Sequence, residues 1–217
     1  MKGAYLSLYM HTVSYCEIFK IMTYSVYNDL FIWILLSIAI MDSFFSYLQQ
    51  CARAIDTLNE CIGRAISWLT LAMVIVTFSI VVLRYLFDIS WVPMQESIIY
   101  MHSLVFMLGA AYTLKHDGHV RVDIIYQRCS VKVKAWIDFL GALLLLLPVA
   151  GFILWSSWEY VFDSWAISES SRNSGGLPVV YLLKTCLLLM SSLLILQGIS
   201  LLISKLNCIV SAGAKHG

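Results

Sequence analysis

Charge is the scarcest property of this sequence. Of its 217 residues only 12% are Asp, Glu, Lys or Arg, where a soluble domain carries about 25%. The net charge is +1 with no basic block standing out, which argues against a nucleic-acid partner. Cysteine pairs are missing too. Cys16, Cys51, Cys61, Cys129, Cys186 and Cys208 are scattered, with no C-x-x-C and no zinc spacing. Thiol–disulfide exchange and a cysteine metal centre have nothing to build on, and these thiols are expected to pack as small hydrophobes. A phosphate-binding loop is absent, so ATP is not expected as a ligand. Nor is there a long polar stretch between apolar ones. The connections 84–96, 115–138 and 159–184 are each too short to bury a catalytic core.

What the sequence has is apolar length. Runs 65–83, 97–114, 139–158 and 185–204 contain no Lys, Arg, Asp or Glu. A helix crossing bilayer hydrocarbon needs about 20 predominantly apolar residues, so each run has the length of a membrane span. The fold class is an all-α integral membrane protein of four transmembrane helices. Loops rich in Lys and Arg stay cytoplasmic. The second connection carries Lys115, Arg121, Arg128, Lys132 and Lys134, while the first carries only Arg84 and the third Arg172 before Lys184. Both termini are therefore expected inside. Trp91 and Trp165 fall at the outer interface and Trp136 at the inner one, where amphipathic rings are favoured.

Ahead of the first span, Phe44, Leu48, Cys51, Ile55, Leu58 and Ile62 recur at helical steps, with Gln49, Arg53, Asp56, Asn59, Glu60 and Arg64 on the other side. This pattern predicts an amphipathic interfacial helix over 42–64. The stretch 1–41 is expected to be a poorly ordered or interfacial extension, 65–205 the four-helix domain, and 206–217 a cytoplasmic tail.

Ionisable groups inside spans usually point to function. Here every carboxylate sits at a span end: Glu96 and Glu159 at the outer surface, Asp138 at the inner. No chain of buried acids can relay protons, and no pair of Gly-broken half-helices marks a midplane site. The small and hydroxyl stripes (Ser67, Thr70, Thr77 and Arg84; Tyr100, Ser103 and Ala110, with His102 and Gly109 beside them; Ser191, Ser192, Gln197 and Ser200) read as helix-packing surfaces. Pro148 is expected to disturb the third span. Arg84 and Glu96, at the outer ends of adjacent spans, are candidates for a charge-assisted pair. A haem would need one histidine on each of two facing spans. His102 is the single histidine within a span and is expected to be a hydrogen-bonding core residue. No cofactor or metal is expected.

The most specific string is Lys115-His116-Asp117-Gly118-His119-Val120-Arg121-Val122-Asp123, following Gly109-Ala110-Ala111. Gly118 is expected to end the helix in the left-handed conformation, and Arg128, Lys132 and Lys134 to face lipid headgroups. Taken in order, Arg84-Tyr85-Leu86-Phe87, then Trp91 and Glu96, then Gly109, then His119, Arg121 and Asp123, and later Gly176-Leu177-Pro178 before the last span, the chain resembles the small membrane subunit (DctQ-like) of tripartite ATP-independent periplasmic (TRAP) transporters. The resemblance covers about 50–205. Lys184 departs from it, standing where the family stays apolar, and is expected to snorkel to the outer interface. Residues 1–41 lie outside the pattern.

The resemblance implies a bacterial inner-membrane, multi-pass, non-enzymatic subunit. Its partners would be a large TRAP membrane subunit (DctM-like), which carries substrate and sodium, and, transiently, a periplasmic substrate-binding protein (DctP-like). Membrane lipids surround it. The cargo class would be an organic acid: a dicarboxylate, sugar acid or sialic acid. The connections 91–96 and 159–176 are candidates for docking the binding protein. Two readings compete with this one: the membrane anchor of a respiratory or redox complex, and a small dimeric exporter, which would transport without any other chain.

Overall fold

In a computed structural model the described backbone covers residues 2–119, 126 and 128–214, and side chains are described mainly from residue 43 onward. The chain divides into two compact units, Met1–Leu48 and Gln49–Gly217. Most side chains of the 1–41 extension, and the whole of 120–125, lie outside the described residues.

Among the described residues, four helices are long and apolar enough to cross a membrane. We label them α1 (Lys2–Phe87), α2 (Val92–Lys115), α3 (Val131–Ala166) and α4 (Val180–Ala214). Among the described residues there is no strand, so the all-α membrane class holds. α1 is unbroken from Gln49 to Phe87. No turn sets the amphipathic stretch 49–64 apart from the span that follows it.

The packing is inverted relative to a soluble core. Buried positions are small: Ala52 on α1, Ala111 on α2, Ala135, Ala142 and Ala150 on α3, Cys186 and Ser191 on α4. Large side chains point outward, among them Trp68, Phe78, Phe106, Phe152 and Trp155. In lipid no hydrophobic force drives helices together, so close backbone approach and interhelical hydrogen bonds take over. α4 is the central element and carries much of the buried surface, including Ser191, Leu193, Gln197 and Ser200. A side chain at Gly198 would come within 3.0 Å of Leu146 and Leu147, so glycine lets α3 lie close against α4.

Pro148 leaves a specific mark. α3 is α-helical over Val131–Gly141, widens into a π-turn over Ala142–Leu146, and resumes as α-helix at Leu147. Proline lacks the N–H for an i→i−4 bond and crowds the preceding turn. The π-turn makes room, with the Leu147 N–H bonding Ala142 O.

The helix exits use left-handed residues, though not the one expected. Asp117, not Gly118, has the positive φ of 53°. The Gly118 N–H bonds Thr113 O at 2.9 Å and the Asp117 N–H bonds Leu114 O at 3.2 Å, which is a Schellman closure. α3 ends alike, with Ser168 at φ 47° and Glu169 N–H bonding Ser164 O at 3.0 Å. Asp tolerates this region through its short polar side chain.

Candidate functional site

The polar side chains gather in two collars, one at each end of the bundle. At the end where α2 finishes, α1 offers Asp56, Asn59 and Glu60 on one face. Asn59 is 1% exposed and its Nδ2 donates to Gln197 Oε1 at 2.6 Å. Gln197 Nε2 donates to Asp56 Oδ1 at 2.9 Å, and the Ser200 hydroxyl donates to the same oxygen at 2.7 Å. These bonds tie α1 to α4. Glu60 ties α1 to α2: Lys115 Nζ lies 2.7 Å and His116 Nε2 2.8 Å from its Oε2, while Arg64 holds Oε1 at 2.9 Å. Lys205 on α4 reaches Asp138 Oδ2 on α3 at 2.6 Å, which also accepts from the Tyr126 hydroxyl at 2.8 Å. Gly63 fits the same seam. A Cβ there would lie 2.2 Å from Cδ2 of Tyr112, so only glycine admits α2 at this crossing.

The opposite collar is built on Glu96. Although it begins the second span, it is 7% exposed. Its Oε1 accepts from the Ser171 hydroxyl and from Asn173 Nδ2 (2.8 Å), and its Oε2 accepts the Leu177 N–H at 2.6 Å. The loop 171–177 thus wraps one carboxylate, closed by Ser171 N–H to Leu177 O at 3.1 Å. Gly176 is required by the same geometry, since a Cβ would sit 2.7 Å from Glu96 Oε1. Beside it, Glu169 accepts from the Ser164 hydroxyl at 2.7 Å and from the Lys184 ammonium. Lys184 also lies over the Tyr160 ring, 3.9 Å from its centroid. In the loop outside the spans, the Lys184 bond, then the Ser164 bond, holds the Glu169 carboxyl below its ordinary range. Trp165 Nε1 donates to Thr185 Oγ1 at 2.9 Å, joining α3 to α4 at this level.

Several sequence expectations change here. Glu96 does not pair with Arg84. Its oxygens are taken by the third connection, and Arg84 stands exposed at the end of α1. Lys184 does not snorkel free, because Glu169 lies close enough to pair with it. His102 is not a core residue. It is exposed, stacked beside Phe106 with centroids 6.2 Å apart. Of the other candidates, Gly109 lies at the α1–α2 seam with Ile66 3.6 Å from its would-be Cβ. Trp91, His119 and Pro178 are exposed in connections, and Arg121 and Asp123 fall outside the described residues. The stripe Ser67, Thr70, Thr77 and Arg84 faces outward, with Ser67 and Thr77 bonding their own helix carbonyls. The residues that sequence reasoning missed are Asp56, Asn59, Glu60, Ser171 and Asn173. The first three were visible as a polar stripe opposite the apolar one, which does not say what the stripe meets; the last two carried no signal.

A family model described as "Tripartite ATP-independent periplasmic transporters, DctQ component" matches residues 73–208. The chain belongs to this family. The DctQ component is a transporter part and not an enzyme, and with four spanning helices the chain is a multi-pass protein of the bacterial inner membrane. It is also 24% identical over 115 residues to "C4-dicarboxylate TRAP transporter small permease protein DctQ" of Vibrio cholerae serotype O1, a stretch covering 53% of this chain and 48% of that protein. The chain thus spans about half the length of that curated relative. No solved structure matches. The matched region contains the whole Glu96 collar and most of α4, while Asp56, Asn59 and Glu60 precede it.

Proposed function

We propose that the chain is the small transmembrane subunit of a sodium-coupled TRAP transporter for an organic acid, and that it braces a large transport subunit while a periplasmic binding protein delivers the cargo. The observation that carries this reading is the placement of polar contacts. They lock the helices to one another at both ends and leave the span between them to small-residue packing. Such a body is suited to staying still beside a part that moves. The carboxylates of the sequence lie at span ends, so translocation belongs to another chain.

One outward face is the natural seat for that chain. His102 lies about 15 Å along α2, near the middle of hydrocarbon about 30 Å thick. It is exposed together with Ile99 and Phe106. An imidazole facing acyl chains is unfavourable, and polar groups at this depth normally turn toward protein. We assign the Ile99–His102–Phe106 face to the large subunit. The segments 91–96, at the start of α2, and 159–176, which runs from the end of α3 into the next connection, remain the docking candidates for the binding protein.

The test is reconstitution with a large TRAP membrane subunit of the DctM type and a DctP-type periplasmic binding protein. Uptake into vesicles should require both membrane chains, the binding protein and a sodium gradient. The His102→Cys variant should crosslink to the large subunit. Solute movement by this chain alone in vesicles would refute the proposal.

A further inference from the structure

α1 and α4 enclose a groove of about 310 Å³ near the α2 exit, lined by Gln49, Arg53, Asp56, Ser200, Ser204 and Asn207, among others. That volume is at the lower end of ligand pockets, about 300–1,000 Å³. Its depth is set by its neighbours. Asp56 is one turn from Glu60, which meets Lys115 at the end of α2. Ser200 is just over one turn from Lys205, which meets Asp138. Charged residues of all four helices stand at this level, so the groove opens among lipid headgroups rather than acyl chains.

The charges within it are incomplete. Asp56 Oδ1 accepts two hydrogen bonds, both from neutral donors, Gln197 and Ser200. Lys115 passes close but bonds the Asp56 backbone oxygen at 3.0 Å and gives its charge to Glu60. Among the described residues no cation pairs with the Asp56 carboxylate. One turn away, exposed Arg53 uses only Nε, on Gln49 O at 3.3 Å, and pairs with no described carboxylate. A carboxylate and a guanidinium therefore flank one groove, three residues apart on one helix face, each lacking a counter-ion among the described residues. Carboxylates taken out of water need a compensating charge, and a guanidinium fork matches phosphate oxygens.

We propose that this groove binds the headgroup of a zwitterionic phospholipid with a primary amine, phosphatidylethanolamine. Its ammonium donates to Asp56 Oδ2 and its phosphate rests on the terminal nitrogens of Arg53, while Ser204 and Asn207 supply neutral hydrogen bonds at the rim. The primary amine is the selective element. A trimethylated amine keeps the charge but has no N–H to donate, and an anionic glycerol headgroup has no cation for Asp56. The bound lipid would complete the α1–α4 seam. The site does not depend on the transporter reading, because loss of assembly with a large subunit leaves the groove intact.

The full chain, purified in detergent, would be titrated with phosphatidylethanolamine, its mono-, di- and trimethylated forms, and phosphatidylglycerol. Lipid retention would be read by native mass spectrometry and stability by thermal unfolding. Wild type should retain phosphatidylethanolamine at least several-fold better than the trimethylated form or phosphatidylglycerol, with a matching rise in Tm. Asp56→Asn, which keeps an acceptor for Gln197 and Ser200, should abolish the preference for the primary amine. Arg53→Gln should lower retention of every phospholipid. Equal retention of all headgroups by wild type, a preference for phosphatidylglycerol, or an unchanged preference in Asp56→Asn would overturn the proposal. Soluble phosphoethanolamine binding as well as the lipid would show a site for the free headgroup and remove the membrane source. The methylation series needs no variant, so the outcome stands even if Asp56→Asn fails to fold.

Discussion

Glu96, at the start of α2, accepts the backbone N–H of Leu177 at 2.6 Å from the connection that leads into α4. Residues 81 apart in sequence are thereby fixed to one carboxylate, with Ser171 and Asn173 completing its shell. A backbone donor bonded to a carboxylate is charge-assisted and directional, so the connection between α3 and α4 is a built surface rather than a slack tether.

Glu96→Gln should loosen this connection. An amide offers one acceptor oxygen in place of two and turns an N–H₂ toward donors. Hydrogen exchange at Leu177 should speed up by an order of magnitude or so, as expected when a charge-assisted bond is weakened, while the helical content stays unchanged. Arg84→Ala should leave this exchange as it is, because Arg84 takes no part in the collar. An equal effect from Arg84→Ala would revive the direct pair.

Gly63→Ala should destabilise the bundle by about 1–3 kcal/mol, the usual range for overpacking a filled contact. The new methyl meets the Tyr112 ring close to its attachment, at 2.4 Å from Cγ and 2.9 Å from Cβ, where a rotamer change gives little relief. Unfolding in mixed micelles would measure the loss. Combining it with Tyr112→Ala should recover part of it, and simple additivity would contradict the contact.

The Asn59–Gln197 bond at 2.6 Å should show modest coupling. Interhelical hydrogen bonds in membrane proteins average about 0.6 kcal/mol and reach about 1.7 in double-mutant cycles. A cycle of Asn59→Ala and Gln197→Ala should return a value in that range. Asp56 must be kept, since Gln197 bridges to it. Zero coupling would show that this bond does not help hold α1 to α4.

Acid should open the Glu96 collar at Glu169. Its carboxyl is held low by the Lys184 ammonium and then by the Ser164 hydroxyl, so the folded protein binds this proton more weakly than the unfolded chain. The stabilisation is therefore complete above the unfolded carboxyl value of about 4.3 and is lost as pH falls through the lower folded value. Exchange at the Val180 N–H, which bonds Glu169 O at 3.1 Å, should be insensitive to this group from pH 8 to about 5 and rise in stronger acid. Glu169→Gln should remove that acid step.

The spans were legible because each is a charge-free run as long as the hydrocarbon is thick, and runs of that kind do not depend on tertiary context. The family was legible from the order of Arg84, Trp91, Glu96, Gly109 and the His119 string. The face of α1 was harder. The stripe of Asp56, Asn59 and Glu60 was correctly periodic, but in water such a stripe faces solvent, and here Asn59 is buried while Phe44 and Leu58 are exposed. His102 misled for the same reason.

By itself the sequence determined the solvent, the number of crossings and the family, since these follow from the length and composition of segments taken one at a time. The tertiary structure alone decided which polar groups meet. Glu96 with Asn173 and Asn59 with Gln197 lie 77 and 138 positions apart. Periodicity places a residue on a helix face but does not say what that face looks at. In lipid the answer reverses, because the scarce hydrogen-bond partners are inside the protein.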